Sequence, residues 1–224
     1  MTTNSRIHYF KHTDLTWQFE SDAKPFIFIK TKPWGQSVNF DPFPCYFHDK
    51  HLVESQIKRN EEIVSVPFKP DYFVFPFECG SRTNGCACRN PNYRKEEDNK
   101  EAAMYPYILL YGKRIPIHPA MTRYLVAHEY GHVIHYNLEE AMKIKDGDDD
   151  FEKFYAKEIR EIEYNKKYGA LNWHSNIGEI IAEDIRAGIL QVEREFWPHD
   201  VCPPWDSKKV MDFWCETNEK YFKT

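Results

Sequence analysis

Pro25, Pro33, Pro42, Pro44, Pro67, Pro70 and Pro76 break the first third of this chain into short pieces. Each fixes its own φ and removes a backbone donor, so the segments between them have room only for short elements that end early. Those segments include Phe26-Ile-Phe-Ile29 and Tyr72-Phe-Val-Phe-Pro-Phe77, whose aromatic and β-branched residues read as short strands between turns. Residues 1–100 are therefore expected to form an irregular, partly β accessory region. Its polar end, Gly80 to Lys100, reads as a loop or flap and as the domain boundary.

Residues 101–224 have a helical texture introduced by one strand. Tyr105 to Ile117 carries strand formers, and Pro106 and Pro116 favour an edge position for it. From Pro119 to about Lys143, apolar residues such as Met121, Leu125, Val126 and Val133 recur at a spacing that suits a helix with one buried face. The acidic run Asp146-Gly-Asp-Asp-Asp150 ends it. A second helix is expected from there to Tyr168, stopped by Gly169. A third should run from Ser175 or Asn176 to Phe196, and a last one, capped by Asp206 or Ser207, should hold Val210, Phe213, Trp214 and Tyr221.

Composition narrows the function classes. A hydrophobic fraction of 42% is enough to close a core and argues against a disordered chain. The formal net charge is −5 and no basic run exceeds a Lys pair, so no nucleic-acid partner is expected. Met1 to His12 lacks the apolar stretch of a secretory signal. The longest uncharged apolar segment, Ala102 to Gly112, falls well short of the roughly 20 residues of a spanning helix. A cytoplasmic protein with no membrane partner is the expectation, and six cysteines are too sparse for a disulfide framework.

The chemistry is concentrated in His128-Glu129-Tyr130-Gly131-His132, an HExxH pentapeptide. On a helix, positions i and i+4 share a face, so both imidazoles can point at one metal. Glu129, turned aside, can reach a water on that metal as general base. Two histidines leave a tetrahedral site half filled. Downstream stands Gly178-Glu179-Ile-Ile-Ala-Glu183-Asp184, with two carboxylates again one turn apart. Glu179 can complete a His₂Glu set, and Glu183 or Asp184 can orient an imidazole through its other ring nitrogen.

HEYGH followed by GEIIAEDIR resembles the gluzincin metallopeptidases. Within them it resembles the catalytic domains of anthrax-lethal-factor-like peptidases and the minigluzincins, over roughly Tyr105 to Phe196. The resemblance implies an α+β, zincin-like fold in which a small mixed sheet with an edge strand packs on the HExxH helix, followed by the Glu-ligand helix. It implies one catalytic Zn²⁺ held by His128, His132 and Glu179, with Glu129 as general base and Glu183 in support. The metzincin spacing HExxHxxGxxH is excluded, since positions 135 and 138 are His and Leu. Where the lethal-factor pattern has a Tyr shortly before the ligand Glu, this chain has Asn172-Trp173-His174. His174 and Tyr168 are the candidate donors to an oxyanion. The strand around Ile108 to Tyr111 can either pair with an extended substrate peptide or serve as an ordinary sheet strand.

Two further features are weaker. Cys79, Cys86 and Cys88, with Cys45, His48 or His51 as a fourth ligand, form a candidate structural metal site of irregular spacing, with a disulfide or free thiols as the other readings. The acidic run Asp146 to Asp150 lacks EF-hand spacing and reads as a solvated turn. The functional expectation is a zinc-dependent endopeptidase acting on a protein or peptide substrate. The alternative is a non-catalytic, zinc-binding regulatory or partner-binding protein. Retention of Glu129 favours the enzyme, because a structural site needs no base.

Overall fold

The computed structural model describes residues 6–10, 17–18, 26–31, 34–39, 45–76, 78, 84–89, 106–146, 151–162, 176–193 and 208–222. Four strands come first: β1 (Ile7–Tyr9), β2 (Trp17–Gln18), β3 (Phe26–Thr31) and β4 (Trp34–Asn39). Helix α1 (Lys50–Ile63) follows, then β5 (Asp71–Phe75), β6 (Gly85–Arg89) and β7 (Pro106–Tyr111). The rest is helical: α2 (Pro119–Asp146), α3 (Phe151–Phe154), α4 (Ile177–Asp184) and α5 (Lys208–Tyr221), with π-helical turns at Tyr155–Ile159 and Ile185–Ile189. The fold is of mixed α+β class. Among the described residues no helix is long and apolar enough to cross a membrane.

Two compact units divide the chain, Met1–Val53 with Phe68–Leu125, and Glu54–Pro67 with Val126–Thr224. The expected division at residue 100 is not where the strands separate. The first unit's mixed sheet has the order β1-β5-β7-β6, so it joins strands from both sides of that position. β1, β5 and β7 run parallel, and β6 is antiparallel to β7. A separate antiparallel sheet, β2-β3-β4, contains the expected Phe26 strand.

The edge position expected for the Ile108–Tyr111 strand is wrong. β7 is paired on both sides, and every residue of Pro106–Tyr111 is buried. A strand covered on both faces reads as a continuous apolar run, which Tyr-Ile-Leu-Leu-Tyr is. Pro106 is tolerated as the strand's first residue, and Pro116 lies beyond its end. β7 therefore has no open edge to offer a peptide. The polar stretch read as a flap contributes β6, which borders the sheet among the described residues.

Helix α1 was not expected in the proline-punctuated third, yet it fits the proline-free interval between Pro44 and Pro67. Asp49 caps it, its Oδ1 accepting from the Leu52 N–H at 2.9 Å. Its buried positions Val53, Gln56, Ile57 and Asn60 recur at helical spacing, but two are amides. Gln56 donates to Asn60 at 2.7 Å, so that part of the stripe is satisfied by hydrogen bonding and is invisible to a hydropathy reading.

In the first unit His48 is 4% exposed, and its Nε2 lies 3.0 Å from the Tyr111 carbonyl. That nitrogen must donate, so Nδ1, 2.9 Å from Thr122 Oγ1, accepts from the hydroxyl. Burial pushes the imidazole down to about 4, against the opposing effect of the Tyr111 carbonyl. The unfolded imidazole, near 6.5, binds the proton more readily, so this contribution is intact above pH 6.5. It is lost as pH falls to about 4, reaching about 3 kcal/mol. Urea unfolding at pH 7 and pH 4.5 should show that His48→Asn removes this part of the acid sensitivity. An unchanged pH dependence in the variant contradicts the assignment.

α2 was expected to bury one face, but every residue from Leu125 to His135 is buried. Such all-round burial is usual for a wholly apolar helix. This one carries His128, Glu129, His132 and His135 through the same stretch, a combination tolerated only where ionisable groups have partners. α4 begins as expected at Asn176, whose side chain accepts from the Gly178 N–H. The second and third helices end earlier than expected, at π turns closed by left-handed residues, Glu161 (φ 55°) and Gln191 (φ 50°). In each, the next N–H turns back to a carbonyl six residues earlier, Ile162 to Ala156 and Val192 to Arg186. No glycine marks either stop, so the sequence gives no C-terminal signal there.

Candidate metal centre

Glycine and alanine set the geometry of this centre. A Cβ placed on Gly131 of α2 would lie 2.7 Å from the Ala182 carbonyl oxygen of α4 and 3.0 Å from its Cα. The two helices approach to backbone contact at this point, which only a residue without a side chain permits. Glu179 and Glu183 flank Ala182 along α4, and His128 and His132 flank Gly131 along α2. The close approach therefore brings these four residues together.

His128 Nε2, His132 Nε2 and a Glu179 oxygen converge, with all donor atoms within 4.8 Å of one another. Glu179 Oε2 is 3.0 Å from His128 Nε2 and 3.5 Å from His132 Nε2. The two imidazoles stand edge to face, centroids 4.9 Å apart. His128 Nδ1 is held by Glu183 Oε1 at 2.6 Å, which leaves Nε2 to face Glu179. The other Glu183 oxygen accepts from Arg186 at 3.1 Å and 2.9 Å, and a further Arg186 nitrogen donates to the Val192 carbonyl. A run of buried contacts thus fixes the ring from behind.

Burial opposes charge on His128, but the hydrogen bonds it donates to Glu179 and Glu183, with the nearby charge of Glu129, override it and push the imidazole up to about 10. Burial likewise opposes ionisation of Glu179, and the two imidazoles overcome it, holding the carboxyl well below its usual range. The carboxylates around His128 thus favour positive charge on its ring. Two imidazoles and one carboxylate are the donor types of a zinc site, and a buried carboxylate behind a ligand imidazole is the usual means of orienting it. By these criteria the residues fit a zinc ion. Glu129, 4% exposed, does not belong to the converging triad.

Comparison with family models, with characterised proteins and with solved structures finds no match. The centre is therefore read from its own geometry.

Asp184, offered beside Glu183 as a partner for an imidazole, points elsewhere. Its Oδ2 accepts from Tyr155 Oη at 2.7 Å and pairs with Arg160 at 2.9 Å, and Tyr155 Oη accepts from Trp214 Nε1 at 2.8 Å. Burial pushes the Asp184 carboxyl up to about 6, against the pull of Arg160 and Tyr155. This network joins α4, α5 and the Tyr155–Ile159 turn. Sequence reasoning missed Arg160, Tyr155 and Arg186. Only Arg186, three residues after Glu183, left a signal, as an i, i+3 pair.

His174, Tyr168 and Cys79 lie outside the described residues. Cys86 and Cys88 sit on β6 with their sulfurs 3.7 Å apart, but no metal-binding group among the described residues includes a cysteine. Burial pushes the Cys45 thiol up. Both His48 nitrogens are engaged, by Thr122 and the Tyr111 carbonyl, so His48 does not serve as the expected fourth ligand. His135, expected at the helix surface or behind the ligands, is buried.

Proposed function

We propose that this chain is a zinc-dependent metalloendopeptidase in which His128, His132 and Glu179 hold the metal and Glu129 is the general base. The observation that carries the reading is the convergence of the two HExxH imidazoles on Glu179, with Glu183 bonded behind His128. The resemblance to gluzincins in HEYGH and GEIIAEDIR supports the same roles.

A zinc ion at this centre supplies a Lewis acid that polarises a substrate carbonyl and acidifies a water. The chain's residues do the rest. Glu129, one residue beyond His128 and in a largely dry setting, takes the attacking water's proton and hands it to the leaving amine. Glu183 and Arg186 keep the His128 ring in one tautomer, with its proton on Nδ1. Glu179 would supply the third ligand oxygen and a negative charge against the metal.

The test is cleavage of a fluorogenic peptide library by the purified chain. Activity is expected to fall to background after chelation and to return on adding Zn²⁺. Cleavage that persists in the chelated, metal-free chain contradicts the proposal, as does a zinc-loaded chain that cleaves nothing.

A further inference from the structure

We infer that the chain carries a second divalent-cation site, built from His135, Glu139 and Glu152. Each offers one donor atom, all lie within 4.8 Å of one another, and the group shares no residue with the zinc centre. His135 and Glu139 are one turn apart on α2 and so share a face, with His135 Nε2 3.8 Å from Glu139 Oε1. Glu152 comes from a different element, the first turn of α3.

Three observations point to a cation rather than to a solvated acidic face. The His135 side chain is 2% exposed, so this is an imidazole committed to the interior. Phe151 and Tyr136 flank it, ring centroids 5.4 Å and 5.8 Å away, and restrict its orientation. The Glu139 side chain is only 16% exposed and Glu152 is half-buried, so both carboxylates reach the imidazole from partly sheltered positions, and all three donor atoms converge on one point. Ligands around such an ion at about 2.0–2.2 Å lie about 3.4 Å apart, so side-chain rotations of about an ångström close the site.

The donor types select the ion. Calcium and magnesium take oxygen donors, whereas one imidazole with two carboxylates suits a transition ion such as Zn²⁺ or Mn²⁺. The position suggests the effect. Glu152 Oε1 lies 3.5 Å from where a Cβ on Gly178 would stand, and Gly178 immediately precedes Glu179. A cation here ties α2 to α3 and braces the first turn of the helix that carries the third zinc ligand.

The experiment counts metal in the full chain by mass spectrometry after chelation, reloading with Zn²⁺ or, separately, with Mn²⁺, and gel filtration. Glu139→Gln and Glu152→Gln keep side-chain volume at partly exposed positions, and circular dichroism checks that both fold. Each is expected to bind about one equivalent less than wild type with at least one of the two ions. No decrement in either variant, or in only one of them, overturns the inference. Glu179→Gln, counted in parallel, reports on the zinc centre alone, so the two sites succeed or fail separately.

Discussion

Replacing Glu129 with Gln is expected to lower kcat/KM for peptide hydrolysis by about 10²–10⁴-fold while zinc content stays at the wild-type level. The amide keeps the size of the side chain and can still hydrogen-bond a water, but it cannot accept the water's proton. Glu129 is outside the converging triad, so the metal donors are unchanged by the substitution. The charge of Glu129 does bear on His128, and removing it trims the imidazole's basicity without removing the bonds to Glu179 and Glu183. Steady-state kinetics with a cleaved peptide and metal analysis of the same sample check both halves. Wild-type activity in the variant contradicts the base assignment, and loss of zinc with activity assigns Glu129 to binding instead.

Gly131→Ala is the second large effect. The new methyl would stand 2.7 Å from a backbone oxygen and 3.0 Å from a backbone Cα, so no side-chain rotation relieves it. α2 and α4 must part, at a cost of about 1–3 kcal/mol of stability. Parting them moves Glu179 and Glu183 away from the histidines together. Because a displaced supporting carboxylate alone typically loses 10–100-fold, zinc affinity is expected to fall by about that factor or more. Competition with a chromogenic chelator measures the affinity, and urea unfolding measures the stability. Unchanged values would mean that the helices are not held at this crossing.

Those two predictions also mark what could be read from the chain beforehand. HExxH is legible because its chemistry depends only on helical periodicity. Glu179 and Glu183 are legible as one turn apart, but their meeting with His128 and His132 depends on the helix crossing. Its signature, Gly131 against Ala182, looks in sequence like two ordinary small residues. The Arg160–Asp184–Tyr155–Trp214 network was unreadable because its members come from three separated segments. In the sheet, Pro106 suggests an edge, but it stands at the first position of β7, where a missing donor is tolerated, and the apolar run behind it is paired on both sides. Helix α1 was hidden because Gln56 and Asn60 occupy buried positions where a hydropathy pattern expects apolar residues.

The central claim is that two imidazoles and a carboxylate, His128, His132 and Glu179, bind zinc without any thiolate. Zinc-edge X-ray absorption on the chain loaded with one equivalent tests it most directly. The account predicts a shell of nitrogen and oxygen donors at about 2.0–2.2 Å with no sulfur, and a decrease in bound zinc in Glu179→Gln. Sulfur scatterers at about 2.3 Å would contradict it, assigning the metal to the cysteines.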